Sequence, residues 1–326
     1  GKAMAGETKN RADIANMLSE QIFSVFGWKQ SSGPTDENFP CIDKEAHHCH
    51  QHPTDIVFYY DDPYIDETIY IQTDLKSYAK NSINSSDFGP SILSLGKQVE
   101  CANISDVWQS RYINTRGNFK ISGCLFIFNH DNEYTNEIVK SIDGISEEII
   151  EQIPPNKEIH IITPERVRLL NTIAHDIRSL YYKQQTKQHY FYYPNLVRKA
   201  SRISASSKCA RIQTLLGPII PTIICNNQSQ KKLIIYYIKN GTTEGEFTYL
   251  IDYILHFQQE QVFEKIEVRL VDSDKNAIAF FNAAFQKLCE KDSLTEEKLK
   301  NVHASRVNNV TPIFSEIDLG MSPREK

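Results

Sequence analysis

The spacing of apolar positions changes several times along the chain, and each change marks an element. Ile14, Leu18, Ile22 and Val25 recur at helical spacing, and Gly27 followed by Trp28 stops the run, which predicts an amphipathic helix. The turn-rich SSGPTDENFP leads into CIDKEAHHCHQHP. Two runs of β-branched and aromatic residues follow, over roughly 55–60 and 68–75, and read as strands joined by DDPYIDE. Beyond them, NSSDFGPSILSLGKQVECANIS predicts a helix, ISGCLFIFNHD a fully buried strand, EIVKSIDGISEEIIEQI a helix and KEIHIIT a short strand. PERVRLLNTIAHDIRSLYYKQQ opens with Pro in the first turn, and Leu169, Ile173, Ile177 and Leu180 supply a buried stripe that makes His175 and Arg178 scaffold. The alternation implies an α/β fold with a parallel or mixed sheet flanked by helices.

Past residue 187 the character shifts. HYFYYPNLVRKASRISASSKCAR mixes aromatic and basic residues, and KLIIYYIKN, a helix near 245–258, EKIEVRLVD and NAIAFFNAAFQKLCE form another strand–helix series. The expected organisation is a first domain over 1–187, a second α/β module over 188–290, and a polar tail over 291–326, either a loose extension or a segment ordered by a partner.

Composition narrows the function classes. With 326 residues, 40% of them hydrophobic, the chain is long enough for two ordinary domains or for one large α/β domain with an appendage. A formal charge of -5 excludes a protein that coats nucleic acid through bulk positive charge, but leaves room for a local basic groove. No apolar run approaches the ~20 residues that cross a bilayer, and GKAMAGETKN lacks the apolar core of a secretory signal, so a soluble, cytoplasmic protein without membrane contact is expected. Seven scattered cysteines fit reduced thiols, most of them in the core.

The second strand run carries the chemistry. Gln72, Asp74 and Lys76 project to one face while Ile69, Ile71, Thr73 and Leu75 project to the other. Pairing about DDPYIDE sets residues whose numbers sum to about 129 opposite each other, which brings Asp55 to Asp74. Two facing carboxylates repel unless compensated, and a divalent cation compensates them most simply. Oxygen donors favour Mg²⁺ or Mn²⁺ over zinc, and such an ion beside a lysine suits phosphodiester hydrolysis.

PTD at 53–55 followed by DLK at 74–76, on adjacent strands between an N-terminal helix and a helix–strand pair, resembles the PD-(D/E)XK nuclease superfamily over roughly residues 1–130. Thr54 separates Pro53 from the aspartate, so the first half of the motif is loose. The resemblance implies a restriction-endonuclease-like core in which Asp55 and Asp74 bind the metal, Lys76 positions water or phosphate, and Gln72 is an accessory. Many relatives add a Glu from the first helix, and Glu7 shares the face of Ile14 and Leu18 if that helix begins early. The implied activity is a metal-dependent endonuclease, of DNA more than RNA, in restriction or anti-phage defence, acting as a homo-oligomer or with another subunit. A catalytically silent scaffold of the same fold, or an RNase, stays open.

Two further stretches carry chemistry. Cys41, His47, His48, Cys49, His50 and His52 offer zinc donors, but without a CxxC or a second ligand pair downstream they read as a polar loop beside the active site. Arg198, Lys199, Arg202, Lys208 and Arg211, after HYFYY, suit a nucleic-acid phosphate track with aromatic packing, or equally a solvated face over a core. No P-loop, dinucleotide-binding glycine pattern or GxSxG elbow occurs.

Overall fold

A computed structural model describes residues 12–78, 88–129, 150–194, 206–257 and 263–310. The described residues divide into two compact units between Arg168 and Leu169. The sequence suggested a boundary near 188; the division falls earlier, inside the helix Pro164–Tyr182.

The first unit starts with helix α1 (12–23), whose second half, Leu18–Phe23, is π-helical. Ile14, Leu18, Ile22 and Val25 are all buried, and Gly27 takes a left-handed φ of 79° after the helix, as its run-stopping position predicted. Strands β1 (Lys29–Gln30), β2 (Glu37–Pro40), β3 (Gln51–Thr54), β4 (Ile56–Asp61) and β5 (Thr68–Tyr78) follow, with the short helix α2 (Lys44–His47) between β2 and β3. Then come α3 (Phe88–Ala102), α4 (Asp106–Tyr112), β6 (Phe119–Asn129) and β7 (Ile159–Ile162). The helix expected from EIVKSIDGISEEIIEQI lies almost wholly outside the described residues.

Five strands form a mixed sheet in the order β1-β4-β5-β6-β7, antiparallel across β1, β4 and β5 and parallel across β5, β6 and β7. β2 and β3 form a separate two-stranded sheet. One face of the large sheet packs aromatics: Phe23 stacks on Trp28 at 4.7 Å, Trp28 on Tyr60 at 5.2 Å, and Phe23 meets Phe126 edge-on at 5.6 Å. On the other face, α3 and α4 bring Val99, Trp108 and Tyr112 onto Val57 and Tyr70. Gly123 on β6 permits this approach, because a Cβ there would lie 2.8 Å from Ile159 Cδ1 and 2.9 Å from both Leu95 Cγ and Val99 Cγ2.

The second unit is entered along α5 (Pro164–Tyr182), whose expected stripe of Leu169, Ile173, Ile177 and Leu180 is buried. Its elements are β8 (Gln188–Tyr192), β9 (Ser206–Ser207), α6 (Ile212–Leu215), β10 (Ile219–Cys225), β11 (Lys231–Tyr237), α7 (Glu244–His256), β12 (Lys265–Leu270), α8 (Ala277–Lys291), α9 (Ser293–Leu299) and β13 (Val302–Arg306). The sheet order is β13-β12-β11-β10-β8-β9, parallel from β11 to β13 and antiparallel elsewhere. Part of the expected polar tail is therefore structural: Leu299 and Val302 are buried, and β13 extends the sheet as an edge strand. An edge strand needs few apolar positions, which is why VHASR carried little pattern. On this sheet Asp176 of α5 accepts hydrogen bonds from Tyr236 Oη and Arg269 Nη1, both at 2.5 Å. Glu267 accepts from Arg269 Nε at 2.9 Å, from Ser305 Oγ at 2.6 Å and from Lys232.

Candidate active site

Asp55 sits where the chain leaves one sheet for another. Thr54 is the last residue paired with β2, Ile56 the first paired with β5, and between them Asp55 O accepts from Asp36 N at 2.9 Å. Every β4–β5 pair obeys the expected register, from Asp61↔Thr68 to Ile56↔Thr73. The ladder stops there, so Asp55 is not a cross-strand partner of Asp74, whose own partner is Leu125 on β6. Instead Asp55 Oδ2 accepts a 2.7 Å hydrogen bond from Leu75 N, the residue next to Asp74. A charged acceptor strengthens such a bond to about 1.5–3 kcal/mol, enough to fix the carboxylate.

Asp74 and Lys76 share one face of β5, and Lys76 Nζ lies 3.4 Å from Asp74 Oδ1. Their side chains are 9% and 35% exposed respectively, so the acid is buried while the ammonium reaches solvent.

Gln72, two residues earlier on that face, is fully buried and saturated. Its Oε1 accepts from Trp108 Nε1 at 2.9 Å and Thr54 Oγ1 at 3.2 Å, and its Nε2 donates to Pro53 O at 2.8 Å and Gln98 Oε1 at 3.0 Å. This amide ties the strand before Asp55, the strand carrying Asp74, and helices α3 and α4 into one framework. Trp108 is aimed there because Ser105 caps α4, accepting from Trp108 N at 3.1 Å. Sequence spacing could place Gln72 on the acids' face but could not find Gln98 or Trp108, which reach it from other elements.

Glu7, Arg198, Lys199 and Arg202 lie outside the described residues. Lys208 is exposed, and half-buried Arg211 precedes α6, its backbone N–H donating to Tyr193 Oη at 2.8 Å. Phe191, Tyr192 and Tyr193 of the adjoining aromatic run are buried, so they serve the core of the second unit. His52, expected in a loop, is a buried residue of β3. Burial, followed by charge on His47 and Lys97, lowers its pKa to about 4, so the ring is neutral.

Carboxylate oxygens such as those of Asp55 and Asp74 are hard donors, a type that suits Mg²⁺ or Mn²⁺ better than zinc. A mixed sheet flanked by helices, with acids before β4 and within β5 and a lysine two residues after the second acid, defines the PD-(D/E)XK nuclease class. Residues 4–166, half of the chain, match the family described as the GAPS4 protein PD-(D/E)XK nuclease domain, and the chain belongs to this family. That match ends two residues before the division between the units, so the first unit is a nuclease domain of an anti-phage defence family. No curated protein matches the chain. Among the described residues no helix is long and apolar enough to cross a membrane.

Proposed function

We propose that the chain is a divalent-metal-dependent endonuclease that hydrolyses phosphodiester bonds in DNA during anti-phage defence, as part of a complex. The observation that carries this reading is the Asp55 carboxylate anchored on Leu75 N beside Asp74, with Lys76 at the solvent end of the same face. Asp55 and Asp74 would hold the ion, which when bound supplies charge neutralisation at the phosphate and activation of water. Lys76 pairs with Asp74 in the resting site and can swing its ammonium onto a non-bridging phosphate oxygen, offsetting charge as it builds in the transition state. The Gln72 framework holds the strands that carry both acids before substrate arrives, which limits their reorganisation during the reaction. Gln72 acts as a positioning residue, since all of its bonds go to protein groups. The net charge of -5 supports a weak grip on DNA by the chain alone and a partner that completes it.

The test is cleavage of supercoiled plasmid and of a matched RNA with Mg²⁺ or Mn²⁺, using the chain alone and any complex that co-purifies with it. Nicking of plasmid that stops in EDTA and falls by about 10²–10³ in Lys76→Ala and Asp74→Asn is expected. Cleavage of RNA alone would reassign the substrate. Absence of cleavage by both chain and complex would refute the catalytic reading in favour of a silent scaffold.

A further inference from the structure

The histidine- and cysteine-rich stretch before Asp55 does not form a polar loop. Cys41 follows β2, His47 closes α2, His52 lies on β3, and Cys101 comes from the last turn of α3. All four are buried, and their donor atoms lie within 4.8 Å of one another. Cys41 Sγ and Cys101 Sγ are 3.7 Å apart, each is 3.3 Å from His47 Nδ1, and His52 Nε2 is 3.3 Å from Cys101 Sγ. A tetrahedron with metal–sulfur bonds of about 2.3 Å and metal–nitrogen bonds of about 2.0–2.1 Å has sulfur–sulfur edges of about 3.8 Å and sulfur–nitrogen edges of about 3.5 Å.

Hydrogen bonding among neutral groups does not account for this convergence. His47 Nε2 lies 3.3 Å from Glu100 Oε2, and a carboxylate there holds the ring proton on Nε2. Nδ1 then offers one lone pair, yet two sulfurs face it. Cys101 Sγ likewise has one proton and three close neighbours, Cys41 Sγ, His47 Nδ1 and His52 Nε2. Four buried donor atoms of the zinc-binding type gathered within 4.8 Å suit a cation, and the Glu100–His47 contact matches the carboxylate–histidine pairing that orients a metal-bound imidazole.

The geometry points to a structural zinc site formed by Cys41, His47, His52 and Cys101, separate from the Asp55–Asp74 site. Two thiolates and two imidazoles are the soft donor set zinc prefers over magnesium, and four protein ligands leave no open position for catalysis. A two-stranded sheet alone is marginal in water, so zinc would add to the anchoring that Gln72 and buried Phe39 give β2 and β3. Zinc would clamp that hairpin to α3, the helix that also carries Gln98, and so fix the strand that delivers Asp55 three residues after His52. The missing downstream ligand was Cys101, which sequence spacing could not associate with a stretch so far upstream.

The test is metal analysis of the full chain purified without chelator from zinc-supplied cells, beside Cys101→Ser and Cys49→Ser. Cys49 is the control, since its Sγ lies only 3.8 Å from His52 yet outside the set of four. About one zinc per chain is expected in the unaltered protein and in Cys49→Ser, with at least a tenfold loss in Cys101→Ser. Because Cys101→Ser can fail to fold, the unaltered chain is also loaded with Co²⁺, for which strong tetrahedral ligand-field bands and thiolate charge transfer are expected. Less than about one zinc per ten chains together with a weak octahedral cobalt spectrum would overturn the site, as would a Cys41–Cys101 disulfide in the freshly purified chain. Zinc content is read without substrate, so the result stands whether or not the chain cuts DNA.

Discussion

Replacing Gln72 with Leu removes one amide and leaves four partners without it. The two side chains have similar volume, so the change isolates the hydrogen bonds from the packing. Trp108 Nε1, Thr54 Oγ1, Pro53 O and Gln98 Oε1 each lose a bond of 2.8–3.2 Å. Gln72 and Trp108 are 0% exposed and Thr54 and Gln98 are 1% exposed, so water cannot replace those bonds without opening the fold. At about 1 kcal/mol net for each bond, with a further cost for each orphaned group and some relief from relaxation, the loss should be about 3–5 kcal/mol. The assay is urea unfolding followed by tryptophan fluorescence. Both tryptophans of the chain, Trp28 and Trp108, belong to the first unit, so the signal reports that unit alone. For a slope of about 2 kcal/mol/M the midpoint should fall by about 2 M, without metal or substrate present. A shift below about 0.5 M with cleavage lost would refute the framework role and return Gln72 to the reacting groups.

Two further outcomes follow from the packing and charge. Gly123→Ala drives a methyl group into Leu95, Val99 and Ile159 and should destabilise the first unit by about 1–3 kcal/mol in the same fluorescence assay; an unchanged midpoint would mean that α3 yields freely. Burial alone would raise the pKa of Glu267, but hydrogen bonds from Arg269, Lys232 and Ser305 outweigh it and bring the group down to about 2. Its folded pKa is thus depressed, so its contribution is present above the unfolded value of 4.5 and lost as pH falls from there towards 2, amounting to roughly 2–3 kcal/mol. Hydrogen exchange of β11 and β12 should lose protection across that window in the unaltered chain, and the loss should flatten in Glu267→Gln. An equal pH slope in both proteins would exclude Glu267 as the source.

The sequence by itself determined most of the described elements and the outline of the candidate motif. Helical spacing from Ile14 to Val25, the stripe of α5 and the alternation along β5 each reflect local sterics and the exclusion of apolar groups from water, so they are legible within a window of a few turns or pleats. The register of β4 on β5 was legible too, because a short turn between two strands leaves few ways to pair them. The tertiary structure decided what those windows cannot contain. It ended the ladder one residue before Asp55 and turned that carboxylate onto Leu75 N; it drew Gln98 and Trp108 onto Gln72; it brought Cys101 to three residues of the β2–β3 region; and it recruited polar Val302–Arg306 as an edge strand. The physical reason is the same in each case: a hydrogen bond or a cluster of donors depends on where backbones cross, and residues far apart in the chain leave no periodic trace of meeting.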